Sequence, residues 1–353
     1  MSEKKLMKGN EAIAEAAIRG GCRYFFGYPI TPQNEIPEYM SWRIREVGGD
    51  FVQAESEVAA INMVYGAAGA GARAMTSSSS PGISLKQEGI SYIACAELPC
   101  VIVNMVRSGP GLGGILASQC DYFQTVKGGG HGDYKLLTYA PSTVQEAVDI
   151  LYYAFDKADE YRTPVCILGD GLLGQIMEPV TFPEMKEMPD PATKSWAVTG
   201  THHGKDRTLA SSIYIDPNLG EAQNNHLVEK FNRIAERETQ CEEFMCDDAE
   251  IILTGYGSVG RIIKSAIYML RERGIKAGLV RPITLMPFPV KVYEKYAAKA
   301  SVKRFLTVEL SMGQFVEDVK LSVMGKKPVD LFTRCGGNIM TPEDVVEKVM
   351  EVK

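Results

Sequence analysis

What most constrains this chain is a repeated alternation: short apolar runs ending in glycine or proline loops, each followed by a segment of helical length. Between residues 7 and 180, Tyr24–Gly27, Phe51–Val52, Arg73–Thr76, Val101–Val106, Leu136–Tyr139 and Val165–Leu168 read as strands. The segments between them read as helices. The first is EAIAEAAIRG, with Asn10 as its expected cap, and the clearest is Ser142–Tyr161, with an apolar stripe of Val144, Val148, Leu151 and Phe155. Strands spaced by helices of this length lie parallel, because a parallel neighbour needs a crossover connection. The alternation resumes at Glu250 with IILTGYGS, IKAGLVRP, FLTVEL and PVDLFT, and closes on a helix with Thr341 as cap and Pro342 at its first position. The expected fold is α/β, with two doubly wound domains over residues 1–180 and 249–353. A polar connection over 181–248 carries one charged helix and the paired His202 and His203.

Composition excludes several functions. A chain of 353 residues can bury a core without disulfides or metal staples. Its net charge of −6 comes with no basic stripe, so nucleic acid is not an expected partner. The eight cysteines contain no C-x-x-C, and the four histidines make no ligand spacing with them. We therefore expect no zinc or iron–sulfur cluster on this chain, and read most cysteines as buried thiols of a reducing cytoplasm. Glu11 and Glu15 interrupt the N-terminal apolar stretch, and no run of about 18 apolar residues occurs. Neither a signal peptide nor a membrane span is expected.

Several motifs bear chemistry. Gly255-Tyr-Gly257-Ser-Val-Gly260 is a G-x-G-x-x-G between a strand and a helix, the geometry that cradles a dinucleotide phosphate. Arg281 stands where an acidic ribose partner would be, so an NAD(P)-dependent dehydrogenase is one reading and a packing turn is the other. Gly169-Asp170-Gly171 lacks the asparagine that would complete a metal–diphosphate site, and Asp170 reads as a polar turn residue. The segment Tyr28-Pro29-Ile30-Thr31-Pro32 leaves the first strand at its carboxyl end, where open α/β sheets place ligands. Its prolines stiffen the loop and orient the Thr31 hydroxyl.

Glu55 and Glu57 open a helix rich in small residues, where carboxylates suit the macrodipole. Arg107 ends a nearly all-apolar strand, points into a glycine-rich loop containing Gly109 and Gly111, and suits bidentate binding of a carboxylate. A second glycine-rich loop carries His131, and both loops read as active-site cover.

In order along the chain, YPITP, QAESEVAA, TSSSSPGISL and NMVRSGPG resemble the alpha subunit of 2-oxoacid:ferredoxin oxidoreductases. DAEIILTGYGSVGR, GLVRPITLMPFP and VELSMGQF are similar to the transketolase C-terminal-like domain of those subunits. SQCDYFQTVKGGGHGDY and LGDGLLGQIMEP look most like the branched-chain, 2-oxoisovalerate (3-methyl-2-oxobutanoate) member, with 2-oxoglutarate and pyruvate types as alternatives. Where the wider family often has T-S-G-P-G, this chain reads serine at each position from 77 to 80 before Pro81-Gly82.

The resemblance implies that residues 1–180 bind the aminopyrimidine of thiamine diphosphate, while a beta subunit holds its diphosphate and Mg2+. Glu57 would hydrogen-bond the pyrimidine nitrogen, in a pocket to which Tyr28, Pro29 and Ile30 contribute. Thr31 and Arg107 would hold the substrate carboxylate. Coenzyme A would take the acyl group, and electrons would pass to iron–sulfur clusters on a ferredoxin-like delta subunit and on to external ferredoxin, with a gamma subunit completing the complex. A non-catalytic scaffold that only docks other chains is the remaining reading. Under the family reading, GYGSVG is a structural turn.

Overall fold

The computed structural model describes residues 4–200 and 207–353, so His202 and His203 lie outside the described residues. In chain order the first half forms β1 (Lys5–Lys8), α1 (Gly9–Arg19), β2 (Tyr24–Gly27), α2 (Glu35–Glu46), β3 (Asp50–Gln53), α3 (Glu57–Gly69), β4 (Ala74–Ser78), α4 (Ser80–Cys95) and β5 (Cys100–Val106). It continues with α5 (Tyr122–Val126), β6 (Leu137–Tyr139), α6 (Val144–Tyr161), β7 (Pro164–Asp170), α7 (Gly171–Gln175) and β8 (Met177–Val180). A long helix, α8 (Pro217–Glu238), leads into β9 (Cys241–Phe244), β10 (Ile251–Thr254), α9 (Ser258–Glu272), β11 (Ala277–Pro282) and β12 (Thr284–Met286). The chain closes with α10 (Val290–Ala298), β13 (Arg304–Glu309), α11 (Phe315–Val323), β14 (Val329–Thr333) and α12 (Pro342–Val352).

The first sheet has seven strands in the order β12-β6-β7-β5-β4-β2-β3, and the second has five in the order β14-β13-β10-β11-β9. Both are doubly wound, and their crossovers are parallel. In the first sheet β2 pairs with β3 on one side and β4 on the other, so the winding direction reverses there. A crevice opens at such a switch point beyond the carboxyl ends of the strands. The loops after β2, β4 and β5 all meet at that end.

Helices α1 and α6 cover one face of the first sheet through Ile13, Ile18, Val148, Leu151 and Phe155, while Ile61, Val64, Ile90 and Ile93 of α3 and α4 cover the other. A third cluster joins the two sheets, packing Val106, Tyr122 and Leu168 against Tyr256, Tyr293 and Phe315. The halves therefore share a core. Helix α12 closes the second sheet with a capping box in which Thr341 accepts from the Asp344 N–H and Asp344 accepts from the Thr341 N–H.

The structure departs from the sequence expectations in four places. Asn10 is not the cap of α1, because the helix begins one residue earlier, after Lys8. Its side-chain amide is instead drawn to the Pro32 carbonyl at 2.8 Å and the Glu35 carboxylate at 2.7 Å. β1 pairs antiparallel with β8, a two-stranded ribbon with no sequence signal of its own. β9, from the stretch read as part of the 181–248 connection, is the antiparallel edge of the second sheet. β12, from the C-terminal half, adds antiparallel to β6 at the edge of the first.

Candidate active site

Three loops at the switch point build the site. The first leaves β2, exposing Tyr28 and Pro29 and half-burying Ile30 and Thr31. It is pinned from below by Gln33, fully buried, whose amide donates to the Tyr28 carbonyl at 3.3 Å and accepts from the Ser77 hydroxyl.

The second element is the start of α3. Ser56 caps the helix by accepting from the Ala59 N–H at 3.2 Å, which places Glu57 at the first helical position. Glu55 is exposed, whereas Glu57 is only 7% exposed. Burying a carboxylate normally requires hydrogen-bond partners. Glu57's carboxylate has none among the described residues. It lies against Gly82, where a Cβ would stand 2.6 Å from Glu57 Oε1 and 2.1 Å from Ser78 Oγ. Only a residue without a side chain leaves this room in the first turn of α4.

The third element is the serine run that ends β4. Ser78 and Ser79 bury hydroxyls that have no partner among the described residues. Ser80, the last of the four serines, has φ +23°, a conformation unfavourable for a side-chain-bearing residue. It is held there by three bonds. Its N–H donates to Asn104 Oδ1 at 3.2 Å, and its hydroxyl accepts from the Arg107 N–H at 3.1 Å and donates to the Arg107 carbonyl at 3.2 Å. Asn104 in turn donates to Asp121 at 2.9 Å, and burial raises that carboxyl above its ordinary range.

Arg107 is buried at the end of β5. One Nη donates to the Thr31 carbonyl at 3.0 Å and the other to the Leu112 carbonyl at 2.9 Å, while Nε is buried without a partner. The guanidinium therefore ties the β2 loop to the loop bearing Gly109 and Gly111. That loop presents Leu112, Ile115 and Leu116 to solvent, with Leu112 81% exposed. A cleft of about 630 Å3 lies on one side of it, lined by Thr31, Pro32, Ile115, Leu116, Leu172 and Ile339. A second, of about 620 Å3, lies on the other side against Ser80, Gly109, Pro110 and Asp121.

Thr31, Glu57, Arg107, Gly109 and Gly111 thus gather at one end of the sheet. His131 does not join them. Its ring packs edge-on with Tyr92, and its carbonyl accepts at 2.7 Å from the hydroxyl of Ser91, eleven residues along α4 from Ser80. At 1.5 Å per residue that is roughly 16 Å from the Glu57 end of the helix.

The other motifs resolve into packing. A Cβ on Gly260 would lie 2.4 Å from Arg281 Cδ, so the glycine turn makes room for the arginine stem. The Arg281 guanidinium bonds Glu146 at 3.1 and 2.8 Å and Glu242 at 2.6 Å, which raises its pKa further and leaves it occupied. Buried Asp170 accepts from the Leu173 N–H at 2.9 Å and from the Ser258 hydroxyl, tying β7 to the turn of the second sheet.

Four of the eight cysteines are buried, and burial pushes the thiols of Cys22 and Cys166 up to about 12. Among the described residues no group of three or more potential ligands could hold a metal ion, and no helix is long and apolar enough to cross a membrane.

Sequence reasoning missed Gln33, Ser78, Gly82, Asn104 and Lys86. Lys86 alone had a signal, since it stands on the stripe of Ile83, Ile90 and Ile93 where an apolar residue belongs.

Residues 15–243 match the family described as pyruvate flavodoxin/ferredoxin oxidoreductase, thiamine diphosphate-binding, and residues 249–345 match pyruvate:ferredoxin oxidoreductase core domain II. The ketoisovalerate oxidoreductase subunit VorB of Methanothermobacter thermautotrophicus is 50% identical over 99% of this chain and 97% of its own. The 2-oxoglutarate synthase subunit KorA of the same organism is 34% identical over the whole of both chains. Among solved structures, the 2-oxoglutarate:ferredoxin oxidoreductase of Magnetococcus marinus, with 2-oxoglutarate, coenzyme A and succinyl-CoA bound, superposes with a TM-score of 0.87 at 26% identity. That match covers 99% of this chain and 65% of the longer solved one. A split-gene transketolase matches at 13% identity with a TM-score of 0.58, a likeness of fold alone.

Proposed function

The chain belongs to the 2-oxoacid:ferredoxin oxidoreductases as an alpha-type, thiamine diphosphate-binding subunit of a multi-subunit enzyme, and from that premise we propose that the Thr31–Glu57–Arg107 cluster is its half of the active site. The substrate is a branched-chain 2-oxo acid, 2-oxoisovalerate first, converted with coenzyme A to the acyl-CoA and CO2. The VorB relative supports this choice of substrate, and the M. marinus structure supports coenzyme A as acyl acceptor.

The observation that carries the reading is Glu57: a buried carboxylate without a partner, facing the space kept by Gly82 at the switch point. The residues present fit the aminopyrimidine of thiamine diphosphate. Glu57 supplies an acceptor for a ring nitrogen, the unpartnered Ser78 and Ser79 hydroxyls supply further polar atoms, and Tyr28, Pro29 and Ile30 form one rim. When bound, thiamine diphosphate supplies the carbon nucleophile for the 2-oxo group and the electron sink for decarboxylation.

Glu57 holds the proton of the pyrimidine nitrogen in a place sheltered from bulk water, where proton sharing is strong. Arg107 is stiffened by its two backbone bonds, and its remaining N–H groups and the Thr31 hydroxyl orient the carboxylate that must leave. A grip tight in the ground state would slow that departure, so part of the guanidinium being committed to the protein suits the reaction. The loop carrying Gly109 and Gly111 covers the substrate. Its domains are a pyrimidine-binding domain over 1–180, a connection over 181–248 and a transketolase C-terminal-like domain over 249–353.

The remaining machinery belongs to other chains. A beta subunit holds the diphosphate and Mg2+, a ferredoxin-like delta subunit carries iron–sulfur clusters, a gamma subunit completes the complex, and external ferredoxin takes the electrons. The test is co-purification of the complex and viologen reduction with 2-oxoisovalerate, coenzyme A and thiamine diphosphate, compared with 2-oxoglutarate and pyruvate. Glu57→Gln should leave assembly intact and remove nearly all activity. Full activity in that variant sinks the proposed role, and preference for 2-oxoglutarate or pyruvate overturns the branched-chain assignment.

A further inference from the structure

We propose that Lys86 is the counter-cation of Glu57, a positioning residue that sets where the proton sits between Glu57 and the pyrimidine nitrogen. The proposal rests on the reading of Glu57 as the cofactor contact.

Lys86 is 0% exposed in the middle of α4, on the face formed by Ile83, Ile90 and Ile93. Its ammonium donates to Thr76 Oγ1 at 2.7 Å and to the Ser77 carbonyl at 3.0 Å, both neutral and both on β4. It makes no ion pair among the described residues, and one of its three donors has no partner there. An ammonium buried with only neutral acceptors is expensive, and an apolar side chain would pack the same stripe without that cost.

The geometry indicates what the charge is for. Lys86 follows Gly82 by four residues and so lies on the same face of α4, one turn below. Helical side chains lean toward the N-terminus, which directs Lys86 toward Gly82. Glu57 Oε1 sits against that glycine, 2.6 Å from where its Cβ would be. The carboxylate and the ammonium are therefore successive occupants of one helix face, close enough to interact through a low-dielectric interior but not in contact.

Among the described residues, Glu57 from α3 is the one ionised group acting on Lys86, and β4 offers only Thr76 and Ser77. Burial pushes the lysine down to about 7, against the pull of the Glu57 charge. A cation here opposes protonation of Glu57 and leaves the shared proton on the ring nitrogen. Near neutral pH the lysine can itself lose its charge.

The experiment uses the assembled complex reconstituted with thiamine diphosphate, comparing wild type with Lys86→Met and Lys86→Gln. Two readouts are followed from pH 5.5 to 9: kcat for viologen reduction, and the near-ultraviolet circular dichroism of the bound iminopyrimidine tautomer. Loss of the cation should move the acid limb of both upward by about one pH unit, with thermal stability at pH 6.5 equal to or above wild type. Unmoved pH profiles in a folded variant overturn the proposal. So does a lowered melting temperature with no shift, or loss of fold in both variants, because each assigns Lys86 to structure alone. The outcome is separable from the cofactor reading, which stands or falls on Glu57→Gln.

Discussion

Gly82→Ala perturbs the site without removing any functional group. The new methyl would sit 2.1 Å from Ser78 Oγ, 2.6 Å from Glu57 Oε1 and 3.1 Å from Glu57 Cγ. Restoring ordinary van der Waals separation moves the carboxylate by roughly 1 Å and turns the serine. Overpacking of this kind costs about 1–3 kcal/mol, and the better helix propensity of alanine returns at most about 1 kcal/mol. The net loss is thus about 0–3 kcal/mol, a melting shift of only a few degrees in a chain this long.

The effect on catalysis should be far larger, since misplacing a catalytic group by about 1 Å can cost on the order of a hundredfold. The assay is steady-state viologen reduction by the complex, with calorimetric melting of the same sample. The control is Gly220→Ala in α8, where the nearest atom to the new methyl is Tyr214 Cβ at 3.7 Å. That variant should keep full activity and melt no lower than wild type. Ser78→Ala combined with Gly82→Ala removes one of the two clashes and should not restore activity, because the carboxylate is still displaced. Activity of Gly82→Ala within threefold of wild type would refute the placement of Glu57 as the group that meets the cofactor.

Other expectations follow from the same contacts. Arg107→Ala should chiefly abolish use of the 2-oxo acid, and Arg107→Lys should recover little, since a point charge cannot hold both the Thr31 and Leu112 carbonyls; saturation curves for 2-oxoisovalerate check this. Arg281→Met strips Glu146 of its cation, leaves Glu242 with Lys264 alone, and should destabilise the chain by about 1–3 kcal/mol in urea unfolding. NAD(P)H should show no binding heat with either wild type or that variant. Lys86 also carries a stability signature. Its pKa falls from the ordinary 10.5 to about 7 in the fold, so the unfolded chain binds the extra proton between those values and native stability rises with pH there. Lys86→Met should therefore gain more over wild type at pH 6.5 than at pH 9.5, by up to several kcal/mol, with equal gains at both pH values counting against a buried charge.

The strand–helix alternation was legible because each parallel strand is bounded by its own loop and followed by its own crossover. The short antiparallel strands were not. β1 exists only because β8 lies beside it, and β9 and β12 are edges recruited by sheets already formed. Asn10 shows the same limit: its local preference for a cap yielded to Pro32 and Glu35, more than twenty residues away. That Thr31, Glu57 and Arg107 share one end of the sheet was legible because each stands at a strand end or a helix start. Lys86 and Gly82 were not read as site residues, because their meaning depends on which side chain from α3 arrives opposite them. His131 had the right residue type in a glycine-rich loop, but that loop is fastened to the far part of α4.

The two glycine-rich motifs end with opposite meanings, and polar satisfaction separates them. Gly260 makes room for Arg281, whose donors engage two carboxylates, so nothing there awaits a ligand. Gly82 makes room for Glu57 and Ser78, neither of which finds a hydrogen-bond partner for its side chain among the described residues. Nine of the described residues bury a polar atom without a partner: Asn34, Ser78, Ser79 and Arg107 stand at the carboxyl end of the first sheet, and Asn10, Gln124, Thr163, Trp196 and Thr307 stand on other segments. Each such atom costs about 1–3 kcal/mol when left dry and unpaired. A scaffold that only docked other chains could replace these groups with apolar side chains and become more stable. A binding site cannot, because the cost is recovered only when a ligand with matching donors and acceptors fills the space. Four such atoms grouped beside a carboxylate and a guanidinium at the switch point fit a binding half-site, whereas a purely structural subunit would gain nothing from them.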